Sequence, residues 1–228
     1  MPMAAHTSPP PLRDGDRLTA SEFILRWEAM PDLKHAELID GIVYMASPVS
    51  YPHSRFHMAL SGWLLKYEAG TPGCEGGSEG TWLMGGQNVP QPDNTLRILP
   101  HKGGQSTDDG DYTAGAPELI VEVAASSRAR DLGIKRKLYE SMKVQEYVVV
   151  ATKPFQVIWH LWTPSGYRPL EPENDGLLRS RCFPGLWLDP AALLNADASR
   201  LLAVLDQGLA TPEHAAFVVQ LASSRRNL

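Results

Sequence analysis

Cysteine is nearly absent. Cys74 and Cys182 are the two in 228 residues, far apart and in no CxxC pair. That argues against a disulfide framework or a structural zinc site and fits a reducing cytoplasm. No run of eighteen apolar residues occurs, so the sequence offers no membrane-spanning segment. Met1 to Pro11 has neither a basic n-region nor an apolar h-region and does not read as a secretory signal. Its prolines and small residues predict a mobile tail over residues 1–17. Positive charge is also in short supply, with a formal net charge of −5. That balance argues against a surface coated for nonspecific DNA binding, although a carboxylate-rich metal site is compatible with it. The glycines of residues 70–86 form neither GxxxxGK[ST] nor GxGxxG, and there is no GxSxG elbow. ATP, NAD and serine-hydrolase readings are therefore unsupported. The six tryptophans are scattered and read as core or interface anchors, not as a base-stacking platform.

What is present suffices for one domain: 43% of the residues are hydrophobic and 21% charged. Thr19 followed by Glu22 predicts a capped helix over Leu18 to Met30. Asp40-Gly41 between two β-rich runs, Ala36 to Ile39 and Ile42 to Met45, predicts a hairpin. Phe56, Leu60, Trp63, Leu64 and Tyr67 mark the apolar side of a helix over Pro52 to Glu68. Gly70 to Gly86 reads as loop with one short strand near Trp82, and Pro100 to Ala116 as a long loop. Strands are expected at Thr95 to Leu99, Leu119 to Ala124 and Glu146 to Ala151, with a hairpin over Val157 to Leu170. A helix is expected over Asp131 to Met142, and helical segments over Pro190 to Gln207 and Pro212 to Leu221. The order predicts an α/β fold with a mixed central sheet flanked by helices, and a C-terminal helical extension.

Three acids and bases carry the chemical signal. Glu122 sits in the middle of the apolar strand Leu119 to Ala124, where a carboxylate is costly unless paired or coordinated. An ion pair or a half-exposed position would also explain it. Asp93 follows Pro92 at the head of the preceding strand; a turn aspartate is the ordinary reading of such a pair. If the two strands are neighbours, both carboxylates reach one edge. Asp131 is a natural N-cap for the next helix, and Lys135 lies about one turn in, able to face the acids. Between Arg128 and Lys143, six basic residues stand against two acidic ones. That strip is either a solvated face or a phosphate-binding one. Ser126 and Ser127 read as residues that cap or line the adjoining loop.

The stretches KHAELIDGIVYM, NVPQPD, GAPELIVEVAASSRARDLGIKRKLYESMKVQEYVVV, FPGLWLD and VLDQGLATPEHAAFV resemble the Uma-two family of predicted endonucleases, within the PD-(D/E)XK restriction-endonuclease-like superfamily. The resemblance covers nearly the whole chain after about Leu18. It implies that Asp93 is the PD aspartate and Glu122 the second acid. Ala124 stands where the literal motif has lysine, so the lysine role passes to Lys135 in the following helix. Glu37 corresponds to a hairpin glutamate and is carried as a third acid. The resemblance further implies Mg²⁺ or Mn²⁺ held by Asp93, Glu122 and the Val123 carbonyl, with Arg128, Arg130 and Arg136 on flanking phosphates. His53 and His57, four apart on one helix face, are expected to support the site; Ser54 stands where a zinc-protease motif needs glutamate. The implied function is a cytoplasmic metal-dependent endonuclease acting on nucleic acid, DNA in the first instance, with RNA or branched DNA as variants. The alternatives are a catalytically silent binding or assembly protein of the same fold, or a hydrolase of another phosphoester. Residues 18–170 would form the nuclease domain, and residues 171–228 an extension packed on the core or on the partner in a homodimer.

Overall fold

The computed structural model describes residues 8–125 and 127–224, so Ser126 lies outside the described residues, as do the first seven residues of the expected tail. The remainder of that stretch packs. Leu12 is buried, and the Gly15 N–H donates to the Val43 carbonyl. Helix α1 (Ala20–Glu28) begins where Thr19 Oγ1 accepts from the Glu22 N–H. Strands β1 (Ala36–Ile39) and β2 (Ile42–Met45) form the expected hairpin. Its Asp40 and Gly41 both have positive φ, 52° and 71°, as a two-residue turn of matching twist requires. Helix α2 (Tyr51–Gly70) is capped by Ser50 and buries the five apolar residues expected.

Strands β3 (Cys74–Ser78), β4 (Trp82–Leu83) and β5 (Asn94–Ile98) follow, then β6 (Thr107–Asp109), β7 (Tyr112–Ala114) and β8 (Leu119–Ala124). A helical run comes next: α3 (Arg128–Arg130), a π-helical turn (Asp131–Lys135) and α4 (Arg136–Ser141). After it come β9 (Glu146–Thr152), β10 (Phe155–Leu161), β11 (Arg168–Pro169), β12 (Leu178–Arg179) and β13 (Trp187–Leu188). Helices α5 (Pro190–Leu194), α6 (Ala198–Leu209) and α7 (Pro212–Ser223) close the described chain. Among the described residues no helix is long and apolar enough to cross a membrane.

Six strands form the main sheet in the order β11-β10-β9-β8-β5-β3. β8 and β9 run parallel, and the other neighbours are antiparallel. The parallel pair needs a crossover, which the helical run supplies. Leu119, Val121 and Val123 face α2 and the C-terminal helices. Ile120 and Ala124 face Tyr139, Tyr147 and Val149 on the opposite side. Alternation therefore puts Glu122 on the face covered by the crossover.

Several expectations are corrected. The stretch after Gly70 holds the edge strand β3, which its CEGGS sequence conceals. A Cβ on Gly77 would come 2.9 Å from Thr95 Oγ1, so close approach to β5 accounts for a small residue there. The loop over Pro100 to Ala116 contains the β6–β7 hairpin, turned at Gly110 with φ 61°. Asp131 is not an N-cap: the helical run starts at Arg128, and Asp131 lies within the π-helical turn. The expected helix over Pro190 to Gln207 breaks at Ala196 (φ 60°), after which Asp197 caps α6. Phe183, Leu186, Leu201 and Phe217 of the C-terminal segment share one core with α2 and the sheet.

Candidate active site

The β5–β8 ladder ends with Asn94 opposite Val121. Beyond it β8 runs on alone on that side, and the carboxylate of Asp93 replaces the missing strand: its Oδ2 accepts from the Val123 N–H at 2.6 Å. The N–H and C=O of a strand residue point the same way, so the Val123 carbonyl faces this opened edge too. Glu122, 4% exposed, projects from the middle of the strand. Its Oε1 accepts from the Tyr139 hydroxyl at 2.9 Å and lies 2.5 Å from Lys135 Nζ. Lys135 also donates to Glu37 Oε1 at 2.8 Å, and the same Glu37 oxygen accepts from the Gln91 N–H at 3.0 Å. Lys135 closes the π-helical turn, a local widening that recurs at functional sites. Tyr139 follows one turn later, so both side chains reach the same carboxylate.

Glu37, His53, Asp93, Glu122, Asp131 and Lys135 line one cavity of about 680 Å³. His53 Nε2 is 3.3 Å from Asp93 Oδ1. His57 Nε2 instead lies 2.9 Å from Ser78 Oγ and 2.8 Å from the Asp93 carbonyl oxygen. Asp131 is held by the Ser127 hydroxyl, which donates to its Oδ2 at 2.5 Å. Ser127 thus lines the loop, as expected of it.

The charges are set by burial and by one another. Burial raises the Glu122 carboxyl well above the usual range; Lys135 opposes this, while Asp93, Asp131 and Glu37 add to it. Burial also works against the Lys135 ammonium, but Glu122, Glu37 and Asp131 outweigh it and hold the side chain protonated. Burial would raise Asp93, yet its bond to His53 and the Val123 N–H bring it below its ordinary value. His53 is raised in turn, chiefly by Asp93.

The basic residues divide. Arg130 lines the cavity and stacks over Tyr44, 5.0 Å from the ring centroid. Arg128 donates to the Lys153 carbonyl, at the β9–β10 turn beside the cavity. Arg136 turns away, over the Tyr167 ring and toward Glu140, and does not join the site. Sequence reasoning missed Tyr139 and took Asp131 for a cap. The four-residue spacings Asp131–Lys135–Tyr139 were the available signal, since such residues share a helix face.

No curated protein matches the chain. Among solved structures, one titled a "putative nuclease belonging to DUF820", from Anabaena variabilis, superposes with a TM-score of 0.62. It covers 78% of this chain and 98% of that one at 14% identity, a likeness of fold. The Uma2 family model, described as "Putative restriction endonuclease", matches residues 20–191, which is most of the chain. The chain, with its mixed sheet and its acid-lined edge, belongs to the Uma2 family.

Proposed function

We propose that this protein is a metal-dependent endonuclease that hydrolyses phosphodiester bonds in DNA. The observation that carries this reading is the meeting of Asp93, Glu122 and Lys135 at one cavity, with the lysine bonded to Glu122. Four carboxylates, Glu37, Asp93, Glu122 and Asp131, surround a single fully buried cation, Lys135. Such a concentration of carboxylates favours a divalent cation, and oxygen donors suit Mg²⁺ or Mn²⁺. Asp93, Glu122 and the Val123 carbonyl would hold it. Both protein donors to Glu122 go to Oε1, so Oε2 is the oxygen available to an ion. When bound, the metal supplies Lewis-acid polarisation of the phosphoryl group and a more acidic water.

The chain's own residues do the rest. Lys135, clamped by Glu122 and Glu37, presents a fixed ammonium to the charge that develops on the phosphate. His53 and the Val123 N–H keep Asp93 ionised. Arg130, with Arg128 nearby, offers guanidinium donors to flanking phosphates. The family's description as a restriction endonuclease supports DNA as the substrate.

The test is cleavage of supercoiled plasmid and of single-stranded DNA with Mg²⁺ or Mn²⁺. The wild type should cut, and Asp93→Ala and Glu122→Gln should not. Equal activity in all three would remove these residues from the chemistry. A folded wild type that cuts nothing would favour the silent binding protein.

A further inference from the structure

We infer that His53 is itself a ligand of the divalent cation, giving a mixed nitrogen and oxygen donor set that favours Mn²⁺ and the later transition ions over Mg²⁺. This rests on the metal-dependent reading above and adds a residue to that same site.

The geometry around the ring carries the inference. Among the described residues, the one group of three His, Cys, Asp or Glu side chains whose ligand atoms lie within 4.8 Å of one another is His53, His57 and Asp93. Of the other acids lining the cavity, Glu122 meets Lys135 and Tyr139 through Oε1 and keeps Oε2 for the ion, while Glu37 is held by Lys135 and Asp131 by Ser127. The His53–Asp93 contact is long for a charge-assisted hydrogen bond, at 3.3 Å against about 2.7–2.9 Å. It is close to the spacing of two adjacent ligands on one ion, about 3 Å when each bond is about 2.1 Å. Asp93 Oδ2 is occupied by the Val123 N–H, so Oδ1, the oxygen nearest the ring, is the one left for a cation. The Asp93 oxygen left for the metal therefore lies beside Nε2.

The fold fixes the ring there. Ser50 caps α2, Pro52 lies in its first turn, and His53 follows at once, half-buried at the cavity wall. His57, one turn on, has a different task. Its Nε2 is committed to Ser78 and to the Asp93 carbonyl oxygen, so it positions the main chain that bears Asp93. Imidazole is a poor partner for Mg²⁺, which demands oxygen donors, whereas manganese and later ions accept it.

Mn²⁺ alone, added to the full chain without DNA, is the probe. Pulsed EPR of the bound ion should show coupling to a directly bound nitrogen. That coupling should vanish in His53→Ala and His53→Asn and persist in His57→Ala. Calorimetry should show Mn²⁺ affinity falling by about tenfold or more in both His53 variants, with Mg²⁺ affinity changing by about twofold at most. Circular dichroism melts establish that each variant is folded. Absence of nitrogen coupling in the wild type, its persistence without His53, or failure of the wild type to bind Mn²⁺ overturns the inference. DNA cleavage by a wild type whose Mn²⁺ carries no nitrogen coupling overturns it and leaves the nuclease reading intact. Nitrogen coupling in a chain that cuts nothing supports it while removing that reading.

Discussion

Lys135 Nζ lies 2.5 Å from Glu122 Oε1, and its second bond, to Glu37, reaches the β1–β2 hairpin. One side chain from the crossover therefore ties the central strand to the N-terminal hairpin. Both ends of the arrangement are nearly out of water, with side chains 3% and 5% exposed for Lys135 and Glu122. Removing one member leaves the other's charge without compensation. Lys135→Met should destabilise the protein by about 3 kcal/mol, the lower end for a broken buried pair, because Glu122 can take up a proton. Urea denaturation measures this. DNA cleavage should fall by about 100-fold or more in the same variant. A melt and a cleavage rate equal to wild type would show that the bridge serves neither purpose.

The pair His53 and Asp93 makes a pH prediction in the metal-free protein. His53 has a folded pKa raised above 6.5, mainly through Asp93. Its contribution to stability is therefore full below pH 6.5 and is lost as pH rises through the raised value. Asp93 has a folded pKa below 3.8, so its contribution is present above that pH and lost as pH falls through the depressed value. The pair stabilises between those two limits. In Asp93→Asn the His53 ring should titrate at lower pH than in wild type, followed by NMR of the imidazole protons. An unchanged titration would remove Asp93 as the cause.

Much of this was readable from residues, and the failures have physical causes. The Leu119–Ala124 strand was legible because every residue is buried, which gives a continuous apolar run with one charge inside it. The convergence of Asp93 and Glu122 hung on their strands being neighbours, and the β5–β8 pairing meets that condition. Strand β3 was not legible, since tight packing against β5 selects glycine, which carries no strand signal. Tyr139 was hidden because a buried tyrosine in an amphipathic helix looks like core until its hydroxyl partner is known. Arg136 shows the reverse error: charge patterning marks a basic strip but does not say which side chains turn toward the cavity.

Glu146 anchors the C-terminal segment to the sheet. Its Oε1 accepts from the Arg181 and Cys182 N–H groups at 2.6 and 2.8 Å, and its Oε2 from Ser180 Oγ and Trp159 Nε1 at 2.8 and 3.1 Å. Burial pushes the carboxyl up, and these donors only partly offset it. With a raised folded pKa, its contribution is greatest below pH 4.5 and declines as pH rises. Glu146→Ala strands several buried donors at once and should cost about 3–5 kcal/mol. Trypsin should then cut the variant faster than wild type at Arg179 and Arg181. Equal protection would show that the segment is held by its apolar contacts alone.

Gly208, near the end of α6, decides between two opposed effects. Alanine there should favour the helix by about 1 kcal/mol on propensity alone. A Cβ at Gly208, however, would stand 2.1 Å from the Gly185 carbonyl oxygen and 2.9 Å from Trp187 Cγ. The first of these is backbone, and Gly185 is itself fixed at φ 86°, so neither neighbour yields cheaply. The clash should win, and Gly208→Ala should be destabilising by about 2 kcal/mol net of the helix gain. Thermal unfolding reads the sign directly: a higher melting temperature would mean that the crossing relaxes and that helix propensity prevails. Neither glycine lines the cavity, so cleavage per folded molecule should stay at the wild-type rate even as the melt shifts.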